Sequence, residues 1–132
     1  MNRIVHFEIQ ADEPERAAKF YADVFGWKIE KWPGDLGMDY WMVMTAEQDS
    51  KEPGINGGLL KRPAAQPGHE CGVNAFVCTV QVDDFDAIAA KIEAAGGKVA
   101  MPKFDLAGMA WQGYFIDLDG NTFGVHQVIK KD

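Results

Sequence analysis

The sequence predicts an α+β fold in which two βαβββ modules form a curved mixed sheet around a groove. One observation is a repeat: a strand, a helix and three further strands occur in the first half and recur about 70 residues later. A second is that both helical segments carry an apolar stripe and end at glycine, while the strands alternate apolar and polar residues. Because one helix and four strands cannot cover both sides of a sheet, two copies should pair and leave a groove on the uncovered side.

The first strand, over residues 3–10, is predicted to sort its side chains onto two unlike faces. Three apolar side chains point to one side: Val5, Phe7 and Ile9. His6 and Glu8 point to the other side. A strand of this kind usually has a helix behind its apolar face and a cavity or water in front of its polar face. We therefore expect His6 and Glu8 to face the groove.

The first helix should follow directly, from about Pro14 to Phe25. Asp12 is expected to cap its first turn, and Gly26 to end it in the left-handed conformation. Four apolar residues at helical spacing are expected to form its buried stripe: Ala17, Tyr21, Val24 and Phe25. Three strands should complete the module, over residues 27–32, 39–45 and 55–61.

A linker is predicted over residues 62–72, where proline and glycine interrupt the apolar periodicity. It separates module 1, about 1–61, from module 2, about 73–132, within a single domain. The predicted elements of module 2 are a strand over 73–82, a helix from Phe85 to Ala95 capped by Asp83-Asp84, and strands over 98–103, 113–117 and 121–129. Residues 105–112 are predicted to be a loop, whose Met and Trp suit a flexible cover over a flat or apolar ligand.

Composition excludes several classes of function. With 20 acidic and 13 basic residues the formal charge is -7, so no basic field is present to bind nucleic acid. No apolar run is long enough to cross a membrane, and no apolar signal segment precedes the first strand, so a cytoplasmic location is expected. Cys71 and Cys78 are too few for a disulfide scaffold and are expected to be reduced thiols.

Several segments resemble the vicinal oxygen chelate superfamily, which includes glyoxalases, bleomycin-resistance proteins and extradiol dioxygenases. They are His6-Phe7-Glu8-Ile9, residues 12–21, Val24-Phe25-Gly26-Trp27, Val82-Asp83-Asp84, Gly96-Gly97 and residues 115–124. The resemblance implies the paired βαβββ fold and a homodimer. It leaves the activity open, because this fold hosts lyases, isomerases, oxygenases and drug-binding proteins.

The resemblance also implies where a metal would bind, since ligands in the metal-dependent members come from the first and last strands of each module. His6 lies at the first ligand position, whereas Asn56, Val77 and Gly124 lie at or near the others. Only His6 is an ordinary metal ligand, so the metal site of the family is incomplete. An alternative ligand set is His6, Glu8 and His126. No cofactor is assigned on this basis, and a divalent metal stays an alternative.

The groove is expected to be lined by polar and aromatic side chains. The predicted ligand-binding residues are His6, Glu8, Trp41, Asn56, Thr79, Gln81, Trp111, Tyr114 and His126. His6 and Glu8 are the catalytic candidates, with Glu8 as a base if Trp41 or Trp111 desolvates it. The competing interpretations are a histidine hydrogen-bonded within a polar sheet face, and aromatic residues that pack the ends of the sheet or a subunit contact.

The sequence therefore predicts a protein that binds a small, partly apolar molecule in its groove without a complete metal site. The alternative is a metal-dependent lyase, isomerase or dioxygenase that uses His6 with other partners. A third interpretation is an interaction protein whose groove is filled by side chains or by a partner subunit. Whether the protein is an enzyme is left open by these observations.

Overall fold

The computed structural model describes residues 1–130 and contains two βαβββ modules in succession. The first module consists of β1 (Arg3–Ala11), α1 (Pro14–Phe25), β2 (Lys28–Lys31), β3 (Tyr40–Met44) and β4 (Gly57–Lys61). The second consists of β5 (Val77–Gln81), α2 (Phe85–Ala94), β6 (Lys98–Leu106), β7 (Ala110–Ile116) and β8 (Thr122–Val128). The predicted α+β class and the repeated element order are confirmed.

The chain divides into two compact units, in each of which four neighbouring strands run in mixed directions. Residues 6–76 form the first unit, in which the strand order is β2-β3-β4-β1 and β1 runs parallel to β4. The second unit combines residues 1–5 with the chain from Val77 onward, and its order is β5-β8-β7-β6 with β5 parallel to β8. The other neighbouring strands within each unit are antiparallel.

The core of the first module lies between its sheet and α1. Its buried residues are Phe7, Ile9, Ala11, Val43 and Leu59. Ala17, Ala18 and Tyr21 of α1 pack against them, as the alternation of β1 and the spacing of the helix predict. The wider stripe predicted for this helix is wrong, because Val24 is 55% exposed and Phe25 60% exposed.

The ends of α1 follow the prediction in part. Gly26 ends the helix with φ 73° and donates its backbone N–H to the Ala22 carbonyl. The N-terminal cap predicted at Asp12 is wrong: the helix begins after Glu13, and the Asp12 carboxylate instead accepts a hydrogen bond from Arg62 Nε at 3.3 Å. Arg62, directly after β4, thus binds the Asp12 carboxylate through a charge-assisted hydrogen bond.

The core of the second module is built in the same way from Val82, Phe85, Phe115 and Val125. Of the pair predicted to cap α2, Asp84 is the capping residue, since its side chain accepts the N–H of Ala87. The strand predicted from residue 73 begins only at Val77, because residues 73–76 are exposed to solvent, Val73 at 95%. A short 3-10 turn, His69–Cys71, lies in the predicted linker.

The loop predicted over residues 105–112 is a β-hairpin. Strands β6 and β7 extend to Leu106 and Ala110, which pair with each other, and only three residues connect them. Ala107 and Gly108 both have positive φ, and the Asp105 carboxylate accepts the Gly108 N–H at 2.7 Å. Two such residues in succession form the tight turns that hairpins favour, so the loop predicted for this segment is wrong.

Neither helix within residues 1–130 is long and apolar enough to cross a membrane. Both cysteines are free thiols, as predicted.

Candidate functional site

We call the side of each sheet opposite its helix the open face. Residues paired directly across neighbouring strands point to the same face, so the register identifies its members. In the first module Glu8 pairs with Gly58, and Gly58 pairs with Met42. His6 and Tyr40, two residues from Glu8 and Met42 along their strands, share this face. The predicted orientation of His6 and Glu8, away from α1, is therefore confirmed.

His6 and Tyr40 form a hydrogen-bonded pair on this open face. The Nε2 atom of His6 lies 2.9 Å from the Tyr40 hydroxyl oxygen. Burial lowers the pKa of the half-buried imidazole below its ordinary value, and the charge of Glu8 opposes part of that shift. His6 is therefore held neutral near pH 7, and a ring protonated at Nδ1 accepts a hydrogen bond from the phenol.

This arrangement depends on Gly58. A β-carbon at that position would collide with the hydroxyl and ring of Tyr40, so glycine is what lets the phenol lie across β4 toward His6. The register of β4 is uninterrupted at Gly57 and Gly58, so this glycine pair forms no β-bulge. The two glycines leave space for neighbouring side chains, Gly57 for Phe7 on the core side and Gly58 for Tyr40 on the open face.

The lowered pKa of His6 should make stability depend on pH. An unfolded histidine binds a proton near pH 6.5, whereas the folded one binds it only at lower pH, so the unfolded state holds more protons between the two values. The contribution of neutral His6 to the free energy of unfolding is therefore fully present above about pH 6.5. It is lost as the pH falls through the pKa of His6 in the folded protein. We expect wild type to lose more unfolding free energy than His6→Gln between about pH 7.5 and about pH 5, measured by urea unfolding. Equal losses in the two proteins would contradict this.

The second module has its own hydrogen-bonded network on the open face. Gln112 lies between Thr79 and His126: its amide nitrogen donates to the Thr79 hydroxyl at 3.5 Å, and its oxygen accepts from His126 Nδ1 at 2.7 Å. Because a carboxamide oxygen can only accept, Nδ1 of His126 carries a proton. Gln112 and Thr79 are buried, at 5% and 2% exposure, whereas His126 is half-buried.

The two networks occupy equivalent positions in the repeat. Gly124 pairs with Thr79 and Tyr114 in the second module, as Gly58 pairs with Glu8 and Met42 in the first. A β-carbon at Gly124 would collide with the Thr79 hydroxyl and lie 2.9 Å from the Gln112 amide nitrogen. In each module a polar side chain from the third strand thus lies over a glycine of the last strand.

Two predicted groove residues lie on the wrong face. Trp41 packs against the core beneath α1, and Lys31 Nζ lies 5.6 Å from the centre of its ring. It also lines a surface cleft of about 370 Å³ at the start of α1. Trp111 packs against the core of the second module, with Lys103 Nζ 4.6 Å from its ring centre. Trp41 therefore cannot desolvate Glu8, which is 8% exposed on the opposite face of the same sheet.

The remaining predicted residues have mixed positions. Gln81 and Tyr114 lie on the open face of the second module, paired with His126 and Gly124 respectively. Asn56 is exposed and supports a loop instead, because its side-chain oxygen accepts hydrogen bonds from the backbone and hydroxyl of Thr45 at 2.9 and 3.2 Å.

The side chains that organise the two open faces, Tyr40 and Gln112, are not among the predicted groove residues. No local feature of β3 indicates that Tyr40, rather than Trp41, lies on the open face, because every residue of the strand is apolar or aromatic. Gln112 was hidden because its strand was assigned to a loop. A polar residue two positions from Tyr114 is the only sequence feature that marks its face.

The residues at the family's metal positions do not fit a metal site. Asn56 is hydrogen-bonded to Thr45, Val77 is apolar, and Gly124 has no side chain, with Thr79 and Gln112 filling the space beside it. Within neither module do three or more described His, Cys, Asp or Glu side chains lie together as metal ligands. His6 and Glu8 belong to the first module and His126 to the second, so the alternative ligand set stays a prediction.

Comparison with known proteins agrees with the fold. A model of the Glyoxalase/Bleomycin resistance protein/Dioxygenase superfamily matches residues 3–125. CFP32 of Mycobacterium bovis, which carries glyoxylase as a provisional name, is 29% identical over 122 residues, covering 91% of this chain and 43% of CFP32. CFP32 of Mycobacterium tuberculosis gives the same values. The chain thus spans less than half the length of these curated relatives.

Solved structures share the fold at low identity. Streptomyces coelicolor methylmalonyl-CoA epimerase in complex with 2-nitronate-propionyl-CoA matches with a TM-score of 0.65 at 19% identity, covering 98% of this chain and 99% of that one. The Mycobacterium tuberculosis methylmalonyl-CoA epimerase matches with a TM-score of 0.63 at 15% identity, covering 96% and 88%. Such similarity shows a common fold and leaves the chemistry to be argued from the site.

Proposed function

This chain belongs to the Glyoxalase/Bleomycin resistance protein/Dioxygenase superfamily, and from that membership we propose that it binds a small, partly apolar molecule on the open face of its sheet. The observation that carries the proposal is the neutral, half-buried imidazole of His6. Its Nε2 atom is hydrogen-bonded to the Tyr40 hydroxyl oxygen at 2.9 Å. A neutral imidazole and a phenol can donate and accept hydrogen bonds without the cost of burying a charge.

The surroundings of His6 supply the apolar part of such a site. Met42 and Leu60 share the open face of the first module, and methionine adapts its shape to irregular ligands. On the second module, Tyr114 and His126 combine an apolar surface with hydrogen-bonding groups in a similar way. The ligand that suits this chemistry is a small molecule with a hydroxyl or carbonyl group on an apolar body.

A ligand screen tests the proposal. Neutral hydroxyl and carbonyl compounds with aromatic or branched aliphatic bodies are added to wild type, and the unfolding temperature is measured. At least one compound should raise it, and Tyr40→Phe should weaken that binding about tenfold through loss of one hydrogen bond. Tyr21→Phe, a tyrosine on the helix side, is the matched control and should bind like wild type. No stabilising compound, or equal binding by Tyr40→Phe, would overturn the proposal.

An enzyme is the second candidate, favoured by the buried Glu8 carboxylate beside His6. A carboxylate and a neutral imidazole that interact electrostatically can pass a proton to and from a bound molecule, as an isomerase or lyase requires. Glu8→Gln should then abolish turnover of a bound compound while binding persists. Elemental analysis after dialysis against divalent metals distinguishes a metal-dependent enzyme from a metal-independent one. Near-stoichiometric metal in wild type that is lost in His6→Ala would favour the metal-dependent enzyme.

The proposal further takes the protein to be cytoplasmic and homodimeric. The family resemblance supports the second of these properties. Cell fractionation tests the first, and sedimentation analysis tests the second.

A further inference from the structure

The two nitrogens of the His6 imidazole differ in their surroundings. Nε2 lies 2.9 Å from the Tyr40 hydroxyl oxygen. Among the residues that the structure describes, none makes a hydrogen bond with Nδ1. The same residues contain no buried side-chain nitrogen or oxygen atom that lacks a hydrogen-bond partner, so Nδ1 of this half-buried ring is accessible. His6 can therefore offer Nδ1 to a bound molecule.

The phenol of Tyr40 determines which nitrogen of His6 carries the proton. With an ordinary pKa of about 10, a phenol is a good hydrogen-bond donor, whereas its oxygen accepts poorly because it shares electrons with the ring. The bare nitrogen of a neutral imidazole is the more basic of the two groups that meet here. The Tyr40 hydroxyl therefore donates to Nε2, which leaves the proton of the neutral ring on Nδ1.

Paired strands hold the phenol in this position. Tyr40 begins β3, and its backbone carbonyl accepts the N–H of Trp32 at 2.7 Å. It pairs with Leu60 of β4, and its side chain occupies the space that Gly58 leaves open. Because the strands are ordered before any ligand arrives, the contact with His6 needs no flexible segment to become ordered on binding.

An imidazole protonated on Nδ1 presents a hydrogen-bond donor on the open face. A donor pairs with the lone pair of an oxygen or nitrogen atom, and it cannot pair with a ligand whose polar group is itself only a donor. The acceptor should also be neutral, because the nearby Glu8 carboxylate interacts electrostatically with His6 and would repel an anion.

We propose that Tyr40 is a positioning residue that holds His6 in the tautomer protonated on Nδ1, so that the site selects ligands with a neutral hydrogen-bond acceptor. The ligand part of this inference rests on the proposed function, whereas the tautomer is a property of the free protein. The oxygen of a ketone, an ether or an alcohol fits the site. A compound that only donates is rejected, because it leaves the Nδ1 proton without a partner.

Two-bond proton–nitrogen correlation spectra of the histidine side chains, recorded at about pH 8, test the tautomer. Wild type should show His6 protonated on Nδ1, and His6→Gln identifies its signals. Tyr40→Phe should give a mixture of both tautomers, because no hydroxyl then donates to Nε2. Tyr21→Phe, which removes a phenol hydroxyl on the helix side of the sheet, should keep the wild-type spectrum. A ring protonated on Nε2, or an unchanged ring in Tyr40→Phe, overturns the proposal.

Two bicyclic probes of similar size test the selectivity. Indanone carries only an acceptor, its ketone oxygen, and indole carries only an N–H donor. Chemical-shift titration of wild type should give indanone a dissociation constant about tenfold lower than that of indole, the value of one hydrogen bond. The ratio should fall toward one in Tyr40→Phe and persist in Tyr21→Phe.

The outcomes of the titration separate this inference from the proposed function. Indole that binds as tightly as indanone overturns the selectivity and leaves the proposed function intact. If neither probe binds and the thermal screen yields no compound, the proposed function is overturned and the selectivity with it. The spectra of the free protein decide the tautomer in either case.

Discussion

Replacing Gly57 by alanine is expected to lower the free energy of unfolding by about 3 kcal/mol. The new β-carbon would collide with the carbonyl oxygen of Phe7 in the neighbouring strand, and would lie 2.6 Å from the nearest atom of the Phe7 ring. A backbone oxygen cannot move aside unless β1 separates from β4, which pair in register through these residues. Urea unfolding monitored by tryptophan fluorescence gives the change directly.

Gly54→Ala is the control for this prediction. Gly54 precedes β4, and a β-carbon there meets no atom within 4 Å. Its effect should stay within about 0.5 kcal/mol, as for other open surface positions. If the two substitutions destabilised the protein equally, the close approach of β1 and β4 at Gly57 would be refuted.

The equivalent glycines of the two open faces should respond very differently to alanine. Gly124→Ala is expected to cost about 2 kcal/mol, because its β-carbon meets Thr79 and Gln112, which are buried and hydrogen-bonded to each other. Gly58→Ala should cost less than about 1 kcal/mol, because half-buried Tyr40 can rotate toward solvent. Urea unfolding of the two variants provides the comparison.

Gly58→Ala, the less destabilising of these two substitutions, should still change the pKa of His6. Once Tyr40 has moved away in Gly58→Ala, His6 loses its hydrogen bond and becomes hydrated, so its pKa should rise toward the ordinary value. Histidine proton resonances followed against pH measure this shift. An unchanged His6 pKa in Gly58→Ala would show that Tyr40 does not control the imidazole.

The alternation of apolar and polar residues in the strands, together with the glycines that end the helices, was sufficient to predict the element order and the two faces of β1. They succeeded there because His6 and Glu8 interrupt an apolar strand and so fix which residues face the core. Strand β3, Tyr-Trp-Met-Val-Met, has no such marker, since every residue in it is apolar or aromatic. The composition of such a strand does not show which of its two alternating sets of side chains faces the core. The prediction that Trp41 lies on the open face is wrong for this reason, and Tyr40 occupies that face instead.

The helical spacing of apolar residues in α1 predicts which side of the helix is buried, but not the whole buried surface. It correctly places Ala17 and Tyr21 against the sheet, but it does not determine how wide the buried stripe is. That width depends on how far the neighbouring strands and loops extend around the helix, which a local pattern does not contain. Val24 and Phe25 continue the apolar pattern onto a surface that the sheet does not cover.

The turn between β6 and β7 shows the same limit for short-range signals. Ala107 adopts a positive φ of 51°, a conformation that alanine rarely takes, so the Ala-Gly pair is a weak signal of a hairpin turn. The pairing of strands over 98–106 and 110–116 enforces the turn, and such pairing is not a local property of the sequence.

The division of the chain into compact units has a consequence for the order of folding. Residues 6–76 are continuous in sequence, whereas the second unit needs residues 1–5, where the Asn2 N–H donates to the Gln81 carbonyl at 2.9 Å. Closing the long loop between Asn2 and Gln81 is slow compared with forming local contacts. During synthesis the unit of residues 6–76 can therefore assemble before β5 has left the ribosome. Residues 1–5, although synthesised before that unit, reach their native partner only after it, once Gln81 is available.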